Sequence, residues 1–273
     1  MPELPEVEVV RRGLEREVTD RAVTSVAVTG ARTVRRQPVE ELVARLRGAR
    51  LGRAGRIGKF LLVPLDDGAE TLVIHLRMSG QLLLTAPDWP RARHTHAVVS
   101  LSDGRELRFV DPRTFGELFV APSPVAALAH LGPDPLSGGW SAAALGRSLA
   151  GRKGRLKLLL MDQRFVAGIG NIYSDEALFE SGLRFDRPAG SLSGEEVGRL
   201  HRAVRSTLRE AVRFRGSSLR DAQYVDLFGA PGGYQSRHRV YGREGEPCPR
   251  CGGPVRRLSL GGRSTFFCGT CQP

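Results

Sequence analysis

The sequence predicts an α+β protein of several domains: a β-sandwich with flanking helices, then a helical domain, then a small β-hairpin that carries every cysteine. Three observations predict this order. Up to about residue 130 the chain is mostly short β-branched and leucine-rich runs, separated by turn signals such as "LDDGAE", "APDWPRAR" and "LSDGRE". "LGPDPLSGGW", Leu131 to Trp140, then concentrates Pro and Gly, and beyond it the apolar spacing becomes helical. All four cysteines lie beyond residue 247. The expected division is 1–130 for the sandwich, 131–140 for a linker, 141–236 for the helical domain and 237–273 for the hairpin.

Each element has a local reason. Pro5 suits a first helical turn because its missing N–H would be unpaired there, and Glu6 and Glu8 complement the positive end of the helix dipole. Val7, Val10 and Leu14 recur at helical spacing, so a helix is expected from about Pro5 to about Glu17. After the linker, helices are expected at Ser141 to Ala150, Leu156 to Asp162, Ile169 to Ser181 and Ser193 to Phe214. The last opens on Ser193, Glu195 and Glu196 as a cap. "PVRRLSLGGRSTFF" reads as strand, Gly-Gly turn, strand, with Arg263 at the edge of the turn.

The cysteines stand as Cys248-x2-Cys251 and Cys268-x2-Cys271 with sixteen residues between the pairs. Two such knuckles can place four thiolates tetrahedrally about one Zn²⁺. With all positions filled by protein, that metal is structural. Two disulfides or a redox motif are the alternatives, and an intracellular type of chain with no other cysteine favours zinc.

Lysine plus arginine exceed aspartate plus glutamate by 41 to 29, a net charge of +12 that attracts polyanions such as nucleic acid. Only Lys59, Lys153 and Lys157 are lysines, and an amine that can lose its proton does chemistry a guanidinium cannot. The tail from Arg237 onward is locally basic, with seven arginines against Glu244 and Glu246. The longest apolar runs, "FLLVPL" and "TLVIHL", are strand-sized, and the acidic start lacks a basic region followed by an apolar stretch. A cytoplasmic protein without membrane spans is expected. A small second residue lets an initiator methionine be removed, which would give Pro2 a free secondary amine able to attack the C1′ carbon of a sugar. Glu3 and Glu6 are near enough in sequence to move protons for it.

Taken together, "PELPEVE" at the start, "GKF" at Lys59, "HLRMSG" at His75 to Gly80, "DPRTFG" at Asp111 to Gly116, "GIGNIYSDEALF" at Gly168 to Phe179 and "YGREGEPCPRCG" through "GRSTFFCGTCQ" run in order through the chain. On them the sequence resembles the formamidopyrimidine-DNA glycosylases (MutM), bifunctional base-excision repair enzymes. The resemblance implies a helix-two-turn-helix motif in the helical domain and a zinc finger at the end. It also implies a monomer acting on damaged double-stranded DNA in the cytoplasm, associated with the nucleoid. Oxidised purines, 8-oxoguanine and formamidopyrimidines, are the implied substrates. An endonuclease VIII-like preference for oxidised pyrimidines is the nearest alternative, and a zinc-finger protein that binds damaged DNA without cutting it is the alternative from another class.

By the same resemblance Pro2 is a Schiff-base nucleophile and Glu3 a proton donor. Lys59 serves base release and β-elimination, and Arg263 serves δ-elimination. Met78, Arg113 and Phe115 would fill the gap left by a flipped nucleotide, an apolar wedge and an aromatic plane replacing lost stacking. Core packing is the alternative for Met78 and Phe115. His94, Arg152, Lys157 and Asn171 would contact DNA. At Asn171, Gly168 and Gly170 are expected to allow a tight turn at a helix N-terminus that can meet a phosphate. Cys248, Cys251, Cys268 and Cys271 would hold the zinc. Arg77 stands where many relatives carry glycine, and the lesion-capping loop is expected within Gly216 to Gln235.

Overall fold

A computed structural model describes residues 2–219 and 224–273, so Met1 and four residues of the expected capping loop lie outside the described residues. By its internal contacts the chain forms two units, Met1–Ala129 with Phe214–Gly233, and His130–Arg213 with Tyr234–Pro273.

The first unit is the expected sandwich. Helix α1 (Leu4–Glu17) precedes β1 (Val23–Val28) and α2 (Val39–Leu46). The strands β2 (Gly55–Ile57), β3 (Phe60–Leu65), β4 (Glu70–His75), β5 (Gln81–Thr85), β6 (Thr95–Leu101), β7 (Glu106–Val110) and β8 (Glu117–Ala121) follow, then the single turn α3 (Pro124–Ala127). Two antiparallel four-stranded sheets result, ordered β1-β6-β7-β5 and β2-β3-β4-β8. Their inner faces share one core, with Val26, Val99 and Phe109 from one sheet and Leu61, Ile74 and Val120 from the other. Val7, Val10 and Leu14 of α1 are fully buried in that core, as their spacing predicts, and each contributes about 1.5–3 kcal/mol of burial.

Residues Phe214–Gly233 follow the helical part of the chain but return to this unit. Leu227 packs where a Cβ on Gly13 would meet it at 3.0 Å, and its carbonyl accepts the Leu84 N–H at 2.8 Å.

The second unit holds α4 (Ala142–Leu149), α5 (Leu156–Met161), α6 (Asn171–Ser181) and α7 (Gly194–Arg213), with the hairpin β9 (Val255–Leu260) and β10 (Arg263–Cys268). Each of these four helices lies within the bounds its sequence pattern predicts. α6 is buried along nearly its whole length, and α7 is amphipathic, burying Val197, Leu200, Val204, Leu208 and Ala211. Among the described residues no helix is long and apolar enough to cross a membrane.

Candidate functional site

Strand register gathers three distant motifs of the first unit at one end of a sheet. Phe60 opens β3 opposite His75, the last residue of β4, and His75 pairs with Glu117, the first residue of β8. Just beyond this row lie Lys59 of "GKF", Arg77 and Met78 of "HLRMSG", and Phe115 of "DPRTFG". Lys59 is buried, 7% exposed, rather than a surface lysine at a strand start. Met78 is half-buried, whereas Arg113 and Phe115 are exposed, so Phe115 is not a core side chain. The Arg113 guanidinium lies 5.2 Å from the Phe115 ring centroid.

Asp111 locks the two exposed loops together. Fully buried, it accepts the Ser79 hydroxyl on Oδ1, together with the Arg113 N–H at 3.2 Å, and the Gly116 N–H on Oδ2 at 2.7 Å. Arg77 is fixed as well. Its guanidinium pairs with Glu117 at 2.8 Å, and its N–H donates to His75 Nδ1 at 2.9 Å although its φ is +50°. That bond requires a neutral His75, and the imidazole pKa lies well below its ordinary value, because burial and then the charges of Arg77, Lys59 and Arg36 oppose protonation.

Pro2 and Glu3 are both buried at the head of α1. Glu3 is the N-cap, and its N–H donates to Glu6 Oε2 at 2.8 Å, one half of a capping box. Glu6 Oε1 accepts the Ser217 N–H at 2.7 Å, so both of its oxygens are engaged in tying the helix head to the returning segment. The Glu3 carboxylate makes the other half of the box, accepting the Glu6 N–H, so both acids are held at the head of α1.

His94 is half-buried at the end of the 86–94 loop, where its carbonyl accepts the Asp111 N–H at 3.0 Å. Arg108 holds that loop from β7. Its side chain is 2% exposed, and its N–H groups reach Glu106 at 2.7 Å and the carbonyls of Trp89, Pro90, Ala86 and Pro87 at 2.8–3.4 Å. Those five acceptors match the five donors of a guanidinium.

In the second unit the structure corrects one expected DNA contact. Lys157 is fully buried, its ammonium paired with Asp175 at 2.8 Å and bonded to Ser264 O at 3.0 Å and Thr265 Oγ1 at 2.9 Å. A charge enclosed this way cannot reach a phosphate, and it binds α5 and α6 to the hairpin instead. Asn171 joins the same network, its amide donating to Ser264 O at 3.0 Å, which leaves one amide hydrogen for another acceptor. Of the two glycines before it, Gly168 needs its freedom at φ +103°, while Gly170 is extended at −132°. Arg152 and Arg263 are exposed, Arg263 opening β10 after the Gly261–Gly262 turn.

The four cysteine sulfurs lie within 4.8 Å of one another, with Cys248–Cys271 at 3.8 Å and Cys251–Cys268 at 3.4 Å. All four are free thiols, and a disulfide would need about 2.05 Å. A tetrahedral site with Zn–S bonds of ~2.3 Å separates its sulfurs by about 3.8 Å, so the cluster fits a zinc ion.

Residues 1–118 match the model of the formamidopyrimidine-DNA glycosylase N-terminal domain, 131–223 that of its H2TH domain, and 245–273 a zinc finger found in FPG and IleRS. The chain belongs to the formamidopyrimidine-DNA glycosylase family. Family members from Laribacter hongkongensis and Heliobacterium modesticaldum are 45% and 46% identical to it, and each alignment covers both chains completely. The MutM (Fpg) structure from Thermus thermophilus is 45% identical, with a TM-score of 0.89 over 99% of this chain and 98% of that one. The Lactococcus lactis Fpg in complex with DNA containing an abasic site gives 0.91 at 31% identity, covering 99% of each chain.

Sequence reasoning missed Asp111 and Arg108 as organisers of this family's motif loops. Arg108 left a trace, a charge in the middle of the apolar strand "ELRFV". Asp111 left only its place before Pro112.

Proposed function

We propose that this chain removes oxidised purines, 8-oxoguanine and formamidopyrimidines, from duplex DNA and cleaves the resulting abasic strand by β,δ-elimination. The observation that carries the reading is the head of α1, where Pro2 and Glu3 are buried on a unit that also buries Lys59, in a member of this glycosylase family. With Met1 removed, the Pro2 nitrogen lone pair attacks C1′. The N-glycosidic bond breaks, and the base leaves with the bonding pair and takes up the proton that the Pro2 nitrogen loses on forming its bond to C1′. Glu3 delivers a proton to O4′ as the sugar ring opens, leaving an iminium that stays charged because a proline nitrogen then has no hydrogen to lose. Loss of a C2′ proton expels the 3′ phosphate, and loss of the C4′ proton then expels the 5′ phosphate. Lys59 serves base release and the first elimination, and Arg263 the second.

Met78, Arg113 and Phe115 fill the space of the everted nucleotide, with Arg113 bonding the orphaned cytosine and Phe115 stacking. His94, Arg152 and Asn171 contact the backbone. Cys248, Cys251, Cys268 and Cys271 hold one zinc, which supplies structure to the finger and no activated water. The Lactococcus lactis Fpg complex with abasic-site DNA supports damaged DNA as the partner. The protein works as a monomer on nucleoid DNA.

Borohydride reduction during turnover of an 8-oxoguanine duplex should trap a covalent protein–DNA adduct. Pro2→Gly should lower its yield by roughly two orders of magnitude or more, the scale of losing a nucleophile, while binding persists. Intact mass should show loss of Met1. An untrappable enzyme, or one that cuts thymine glycol duplexes faster than 8-oxoguanine duplexes, overturns the reading.

A further inference from the structure

Lys59 is the second residue of the two-residue turn between β2 and β3, which closes on the Ile57–Phe60 pair. Gly58, at φ +56°, takes the first central position, where a type II′ hairpin turn favours glycine. The Gly58 carbonyl and the Lys59 N–H belong to one planar peptide, so whatever fixes that carbonyl also fixes the backbone from which the Lys59 side chain departs.

Arg56 fixes it. Its side chain is 7% exposed, Nη1 donating to Gly58 O at 2.8 Å and Nε to Glu8 Oε2 at 3.2 Å. Glu8 sits on α1, the helix headed by Pro2 and Glu3, and is itself held on several sides. Its oxygens accept Arg12 Nε at 2.9 Å and both Arg11 Nε and Nη2 at 3.0 and 3.1 Å. Arg11 Nη1 donates onward to Ala54 O at 3.1 Å, so α1 is tied to the 54–58 segment at both of its ends. Burial opposes ionisation of Glu8, but hydrogen bonds from Arg11 and Arg12 and the charges of Arg11 and Arg56 outweigh it and hold the carboxyl below its ordinary range.

We propose that Arg56, oriented by Glu8, is a positioning residue that sets the Lys59 amine relative to Pro2 through the Gly58 carbonyl. The inference rests on the role given to Lys59 above. A lysine has four rotatable bonds, so where its backbone is held bounds the places its amine can reach. A 1 Å misplacement of a reacting group can reduce a rate about 100-fold. Arginine suits the task because one rigid fork can bridge a carboxylate and a carbonyl at once.

The test is a cycle of single-turnover base excision from an 8-oxoguanine duplex, using wild type, Arg56→Met, Lys59→Ala and the double variant, with thermal unfolding followed for each. Arg56→Met should slow excision about 10- to 100-fold. Its affinity for a duplex bearing a tetrahydrofuran abasic analogue should stay within about threefold, a loss in the chemical step rather than in binding. On the Lys59→Ala background the same change should cost nothing more. Losses that multiply, or an Arg56→Met enzyme as fast as wild type, overturn the proposal. A Lys59→Ala variant at full speed refutes the Lys59 assignment first, and the proposal with it. Should Arg56→Met fail to fold, Glu8→Gln takes its place in the same cycle, with the same pattern expected and the same results overturning it.

Discussion

Asp111 uses both carboxylate oxygens on donors from two loops, Ser79 on one side and Arg113 and Gly116 on the other. Asparagine has nearly the same shape but must turn an NH₂ toward one of those donors. Asp111→Asn should therefore destabilise the protein by about 1–3 kcal/mol, the penalty of a buried unsatisfied donor, read as a shift in urea midpoint. If the loops carry the DNA wedge, affinity for abasic-analogue duplex should fall as well. An unchanged midpoint would mean that the loops hold their shape without it. The lysines show how far such roles can be seen in advance. Rarity picked out Lys59 and Lys157 equally, and both are buried, yet Asp175 claims only Lys157. Which acid meets which lysine depends on packing between elements, and a charge count does not contain it.

At the scale of elements the local chemistry was more legible. The reciprocal cap of α7 was readable from Ser193 and Glu196: Glu196 N–H donates to Ser193 Oγ at 3.2 Å, and Ser193 N–H to Glu196 Oε2 at 2.9 Å. Arg187, which adds an ion pair at 2.5 Å, was not readable, because it reaches the cap from another segment. Arg187 and then the Ser193 N–H bring the Glu196 carboxyl down to about 2 from 4.5. A folded-state value below the unfolded one gives stability that is complete above 4.5 and is lost as pH falls toward 2. Glu196→Gln keeps the cap and removes the titration. It should lower neutral-pH stability by less than about 1 kcal/mol and flatten the acid limb of a urea-midpoint profile. A limb as steep as wild type would place the acid sensitivity in other carboxylates. The cysteine hairpin gives a second prediction, because so short an element needs its metal to fold. Stripping the metal with a chelator, or changing Cys268 to Ser, should weaken DNA binding, and readdition of zinc should restore the stripped protein only.

For the whole molecule, the order sandwich, helices, hairpin followed from periodicity and turn chemistry. The return of Phe214–Gly233 to the first unit did not, since it rests on contacts such as Leu227 with Gly13 across two hundred residues of sequence. The net charge of +12 also overstates what a polyanion can meet, because arginines such as Arg11, Arg108 and Arg239 are engaged by carboxylates of their own unit. Arg32, Arg35, Arg93 and Arg113 on the first unit, and Arg152 and Arg263 on the second, are exposed and face no carboxylate among the described residues. If each neutralises one phosphate, log K against log salt should have a slope near −5, and affinity for an abasic-analogue duplex should fall about 10³-fold from 50 to 200 mM salt. Fluorescence anisotropy across that range measures it. Changing any one of these arginines to Ala should reduce the slope by about one, whereas changing Arg108 should leave the slope as it is and act on stability. A slope near zero for wild type would mean that the surplus charge does not meet the DNA backbone. Equal slopes for Arg113→Ala and wild type would take Arg113 out of the count and leave it the base contact alone.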